Sequence, residues 1–162
     1  MPEECEGIRF LSVDDLIVIN ARLIAMKTPG EQTGVRDMGA LERAQQSPNL
    51  YRWFQSTEDI ITLASVLFES IARNHAFHNA NKRTAFVGTS IFLLINGHEL
   101  TAPEEDAVLV SEAIVKHEID REYLERFLYH WRHPVDNLSV KGNDALRRLV
   151  DRMITPILPR PE

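Results

Sequence analysis

The sequence predicts an all-α protein built around two long apolar helices. Three observations predict it. Apolar residues recur mostly at intervals of three and four, and clean alternation is scarce. Two segments, residues 57–74 and 81–96, carry too many apolar positions for surface helices. Helix-starting and helix-stopping residues punctuate the chain between such segments.

Ser12 is a natural N-cap, with Asp14 and Asp15 in the first turn, where the helix dipole favours negative charge. Leu16, Ile19, Leu23 and Ile24 then form one apolar stripe that ends near Thr28-Pro29-Gly30. Gly34-Val35-Arg36-Asp37 reads as a turn, and Gly39 to Gln46 as a short helix stopped by Ser47-Pro48-Asn49. The stretch Pro48 to Gln55 reads as non-helical, and its Tyr51, Trp53 and Phe54 fit a short hairpin flap or exposed edge and equally a satellite of the core.

Thr57 opens the first central helix, with Ile60, Leu63, Ala64, Leu67, Phe68 and Ile71 on its buried face and its end at Arg73-Asn74. The second central helix runs from about Asn81 to Asn96 through Val87, Ile91, Leu94 and Ile95, and Gly97 supplies its stop. Pro103 with Glu104 and Glu105 opens another helix. Asp120 to Trp131 is a further one, halted by His133-Pro134. A last helix, Asn143 to Ile154, precedes a proline-rich tail expected to be mobile.

The 162 residues suffice for one well-buried core and are few for two independent domains. A formal net charge of −6 favours solubility and weighs against a general nucleic-acid binder. Cys5 is the single cysteine, so no intrachain disulfide forms, which fits a reducing compartment. Met1 to Gly7 is acidic and lacks an apolar signal core, and runs such as Ile91 to Ile95 are far short of a membrane span. The expectation is a cytoplasmic protein with neither membrane nor direct nucleic-acid partners.

Between the central helices lies a polar segment containing Arg73, Asn74, His75, His78, Asn79, Asn81, Lys82, Arg83 and Thr84. Free backbone N–H groups and the dipole at the start of the second helix favour anions here. Lys82 adds a point charge and Arg83 a planar fork. This is a candidate phosphate site with a histidine beside it. An imidazole can accept a hydroxyl proton near neutral pH, which makes His75 the candidate reactive group. Phe77, between polar neighbours, is expected to turn inward and pin the loop, and His78 to face solvent. The pairs His75/His78 and His130/His133 lack a cysteine or acid to complete a metal set, so structural roles are expected there.

The stretch His75-Ala76-Phe77-His78-Asn79-Ala80-Asn81-Lys82-Arg83 resembles the signature of the Fic family. That signature reads histidine, any residue, phenylalanine, any residue, an acid or amide, a small residue, asparagine, glycine or lysine, and arginine. Ala80-Asn81-Lys82-Arg83-Thr84 resembles the Doc (death-on-curing) toxin branch in particular, which has lysine where most Fic proteins have glycine. The likeness extends upstream through Leu67 to Asn74 and downstream to Asn96-Gly97. Gly34 to Asp37 with Gly39, Leu41 and Glu42 also looks like a Doc N-terminal region. It implies a Fic-type helical bundle, with residues 1–133 as the Fic/Doc domain and 134–162 as a helical extension and tail on or beside it.

The resemblance implies transfer of a phosphate-containing group from a nucleotide to a hydroxyl of a target protein. Fic proteins mostly transfer AMP and hold the nucleotide with a second arginine three residues after the first; Phe86 stands at that position. Doc proteins bind the nucleotide in the reversed sense and transfer its terminal phosphate. Lys82 together with Phe86 therefore favours a kinase-like phosphotransferase that uses ATP and Mg²⁺, with AMP transfer as the alternative. By resemblance the partners are an antitoxin protein and a target like elongation factor Tu. His75 would be the general base and Phe77 the structural anchor, Asn81, Lys82 and Arg83 would hold phosphates, and Arg73 would add charge. Asn79 stands where the family's acid helps to hold Mg²⁺, and an amide oxygen brings no charge to a hard cation. A catalytically weak module that binds antitoxin or target is therefore also open. The internal inhibitory motif of many Fic proteins has no strict match, so a separate antitoxin segment is expected to occlude the site.

Overall fold

The computed structural model describes residues 2–136 and 140–154. Seven helices lie among them: α1 (Val13–Lys27), α2 (Met38–Phe54), α3 (Ile60–Asn74), α4 (Asn81–Ile95), α5 (Glu104–Val115), α6 (Arg121–Trp131) and α7 (Gly142–Ile154). Four three-residue strands complete the set: β1 (Glu3–Cys5), β2 (Ile8–Phe10), β3 (His98–Leu100) and β4 (Arg132–Pro134). Strands β1 and β2 form an antiparallel hairpin with Glu3 opposite Phe10. Strands β3 and β4 pair antiparallel across the α5–α6 excursion, with Leu100 opposite Arg132. The protein is mainly α-helical, as its periodicity predicts.

Short polar side chains start most helices. Ser12 Oγ accepts from the Asp15 N–H while the Asp15 carboxylate accepts from the Ser12 N–H, a reciprocal capping box. Asp37, Asp59 and Asp120 cap α2, α3 and α6 with the one-way bond, their carboxylates accepting from N–H groups of the first turn. The first central helix accordingly begins at Ile60, after the Asp59 cap, a few residues later than Thr57.

Helices α3 and α4 pack on each other at the centre, with α2, α5 and α6 against α3 and α1 against α4. Leu63, Phe68, Ile91, Phe92 and Leu93 are fully buried between them, as is Leu16 of α1. The Phe10 and Phe92 rings lie 6.0 Å apart and tie the first hairpin to α4. Phe127 is half-buried against this core, and half-buried Trp131 meets His130 edge-on. No helix among the described residues is long and apolar enough to cross a membrane.

One expectation is overturned. Residues 48–55 form neither hairpin nor edge; α2 runs straight through Pro48. Proline lacks the N–H that would bond the carbonyl four residues back. Here the Ser47 hydroxyl donates to that Ala44 carbonyl at 2.7 Å, so the helix continues. The aromatic residues also differ among themselves. The Tyr51 hydroxyl accepts from Arg121 at 2.8 Å under a stacked guanidinium, whereas Trp53 and Phe54 are 55% and 81% exposed. Arg52 is the buried member of this turn, donating to the Cys5 and Glu6 carbonyls and to Glu58.

Helix α7 packs on α1, where Arg22 grips the Asp151 carboxylate with two bonds of 2.6 and 2.8 Å. That bonding holds the Asp151 carboxyl below the usual carboxylate range. The folded state therefore favours the ionised form. Its contribution is full above the ordinary aspartate pKa and disappears as pH falls through the lowered value. Protection of the α7 amides, with the intrinsic pH dependence of exchange divided out, should fall on acidification, and Asp151→Asn should show the lower protection already at neutral pH. The proline-rich tail, residues 155–162, lies outside the described residues.

Candidate active site

The segment joining α3 to α4 turns sharply at both ends. His75 closes α3 in the left-handed conformation (φ 49°, ψ 43°), and Ala80 precedes α4 in the same region (φ 61°, ψ 29°). Non-glycine residues pay about 1–2 kcal/mol for this conformation, so surrounding contacts must impose it.

Those contacts come from inside the loop and from far upstream. The Asn81 side chain accepts from the Phe77 N–H and donates to the Phe77 carbonyl, each at 3.0 Å. The Phe77 ring is buried, as its position predicts. Residues 28–37, connecting α1 to α2, lie along the loop as a strap. The Arg36 and Asp37 N–H groups donate to the Ala76 carbonyl at 2.7 and 3.0 Å, and the His78 N–H donates to the Gly34 carbonyl at 3.1 Å. Val35 and Phe77 form an isolated antiparallel bridge. Arg36 Nε donates to the His75 carbonyl, and Asn79 Nδ2 to the Gln32 carbonyl, both at 3.0 Å. From α1, buried Asn20 donates to the Asn79 carbonyl at 2.9 Å and to Thr84 Oγ1 at 3.0 Å.

The loop borders a cavity of about 340 Å³ lined by His75, His78, Asn79, Asn81, Lys82, Arg83 and Glu31. The His75 and His78 side chains are exposed there. No side chain caps the first turn of α4, in contrast to the starts of α1, α2, α3 and α6. Lys82 has no ion-pair partner among the described residues, while Arg83 bonds Thr28 Oγ1 and the Glu31 carboxylate. Arg73 lies elsewhere. Its guanidinium bonds Glu69 at 3.1 Å and the Ile114 carbonyl at 2.8 Å, and it lines a different depression with His117 and Asp120. The Asn81 amide is held by Phe77, so it shapes the loop.

A second cavity of about 240 Å³ adjoins the first and shares Lys82 and Arg83 with it. Leu23, Phe86, Val87, Ala107 and Val108 give it apolar walls, and a Lys27–Glu104 ion pair of 3.3 Å stands at its edge. This slot, the strap and Glu31 are not predicted from sequence. Asn20 carried a signal, being an amide on the core-facing stripe of α1, where a buried polar group needs partners.

A model of the Fic/DOC family matches residues 10–93, more than half of the chain and the whole of this loop. The chain belongs to the Fic/DOC family. Among curated relatives, "Toxin Doc" of Mycolicibacterium smegmatis (strain ATCC 700084 / mc(2)155) is 38% identical over 74 residues. That match covers 45% of this chain and 57% of the relative, so it spans little more than half of the relative's length. The Fic/DOC likeness read from His75 to Arg83 is thereby established, with a Doc toxin as the relative matched.

Fic/DOC membership raises the matter of Mg²⁺. Among the described residues no three histidine, cysteine or acidic side chains gather to hold a metal. The cavity offers the Asn79 amide oxygen and one carboxylate, Glu31, which already faces Arg83. Mg²⁺ commonly takes one or two protein oxygens and completes its shell with phosphates and water. The donors present suit an ion carried by a nucleotide and not one caged by protein alone.

Proposed function

We propose that this Fic/DOC protein is a Doc-like toxin that moves the terminal phosphate of ATP to a hydroxyl of a target protein and is silenced by a separate antitoxin. The observation that carries this reading is the pairing of the two cavities along α4. A base in the apolar slot at Phe86 and Val87 would lay the phosphates over Lys82 and Arg83. The outermost phosphate would then lie towards the helix start and His75. An arginine at position 86 would have made the slot a phosphate site; phenylalanine makes it a site for a ring.

In this arrangement the His75 imidazole takes the proton of the target hydroxyl as its oxygen attacks the terminal phosphorus. The new O–P bond forms as the bond to the ADP oxygen breaks. Lys82, Arg83 and the uncapped first turn of α4 face the negative charge that develops. A bound Mg²⁺, with the Asn79 oxygen among its ligands, would neutralise phosphate charge. The target class proposed with it, on resemblance to Doc, is a translation factor like elongation factor Tu, and such a target would put the reaction in the cytoplasm.

ATP labelled at the γ or the α position, incubated with the protein and elongation factor Tu, tests the reading. Label from the γ position on the target supports phosphate transfer; label from the α position instead assigns AMP transfer. A second reading, a catalytically weak module that binds antitoxin or target, is favoured by one observation. Asn79 brings no charge, and its amide nitrogen is tied to Gln32. Under that reading neither label transfers until Asn79→Asp is introduced.

A further inference from the structure

The carboxylate of Glu31 sits against Arg83, one of the two cations of the proposed phosphate site. Glu31 Oε2 accepts from Arg83 Nη2 at 3.2 Å and from the Thr28 hydroxyl at 3.0 Å. Thr28 in turn accepts from both terminal nitrogens of Arg83, at 3.2 and 3.3 Å. A carboxylate oxygen held by a guanidinium and a hydroxyl makes the bonds that a phosphate oxygen would make there. Glu31 is also the one carboxylate among the residues lining the His75 cavity.

The strap that carries Glu31 is fixed unevenly. Its second half is bonded through backbone to residues 76–78. Its first half, after Thr28 ends α1, runs through exposed Pro29, Gly30 and Glu31. A turn bond from the Glu31 N–H to the Thr28 carbonyl holds the carboxylate in range of Arg83. The pair itself remains open to water, with Glu31 40% and Arg83 32% exposed. An ion pair so exposed is weak, and a polyanion that also meets Lys82 can displace it.

We infer that Glu31 is a built-in competitor for the phosphate site, holding Arg83 in the empty protein and yielding it only to a ligand of several negative charges. The inference rests on the phosphate-site reading of Lys82 and Arg83 and adds a threshold to it. A single phosphate oxygen gains little by replacing a carboxylate already in place. A triphosphate gains contacts at Lys82 and at the start of α4 as well.

Calorimetric titration of inorganic tripolyphosphate, without metal, into the wild type, Glu31→Gln and Lys82→Ala tests this. Glu31→Gln should bind about three- to tenfold tighter than the wild type. The gain should shrink as ionic strength rises. Glu31→Asp, which keeps the charge on a shorter arm, should fall between the two. Lys82→Ala should bind more weakly than the wild type. Unchanged or weaker binding by Glu31→Gln, with the wild type still binding, overturns the competitor and leaves the phosphate site standing. Weaker binding by Glu31→Gln only when Mg²⁺ is added also overturns it, because the carboxylate then serves the ion. If every variant melts normally and none binds tripolyphosphate, the phosphate site and the competitor fall together.

Discussion

Replacing His75 by asparagine is expected to lower the rate of phosphate transfer by about 10²- to 10⁴-fold, the usual contribution of a positioned general base. The choice of asparagine follows from the backbone. His75 sits at φ 49°, and asparagine enters the left-handed region more readily than other non-glycine residues. The turn out of α3 should therefore survive, and with it the Arg36 bond to the His75 carbonyl. Tripolyphosphate affinity and melting temperature should stay close to wild type, since the exposed imidazole is not part of the core. Initial rates of γ-label transfer, read beside the titration, separate chemistry from binding. A variant that binds and still transfers at the wild-type rate would remove His75 from the reaction.

Phe77→Ala should give the largest loss of stability near the site, about 3–5 kcal/mol, or on the order of 10 °C in Tm. The ring is 2% exposed. Its own backbone is bonded to Asn81 on one side and bridged to Val35 on the other. A hole there frees the centre of the loop, so transfer should fall beyond what unfolding explains. Phe77→Leu keeps most of the volume and should lose far less of both. Thermal melts with rates measured well below Tm check the pair. Equal melting of Phe77→Ala and wild type would mean that the ring does not anchor the loop.

The central helices are legible in the sequence, as are the starts of α1 and α6, because their signals are local. Ser12 and Asp120 start helices through atoms three residues away, and the apolar spacing of α3 and α4 lies within a few turns. Pro48 misleads because its compensation is a single hydroxyl on its neighbour, which no general rule about proline anticipates. The signature residues were legible as a group, whereas the directions of their side chains were not. Arg73 and Lys82 are both cations at helix ends beside the loop. Only Lys82 reaches the cavity, because Glu69, one turn back on α3, captures Arg73. The strap was invisible for a deeper reason. Its bonds join main-chain atoms some forty positions apart, and peptide groups look alike in every sequence.

That last property decides how this part of the molecule can evolve. A scaffold made of peptide–peptide links between Gly34–Asp37 and Ala76–His78 asks for a particular residue only where a side chain does other work, as Asp37 does in capping α2 and Phe77 in filling the core. It is strict about how many there are. Adding or deleting one residue between Gln32 and Asp37 would slide every link out of phase, whereas an exchange at exposed Thr33 would pass unnoticed. Drift in this stretch should leave spacing intact long after likeness has faded.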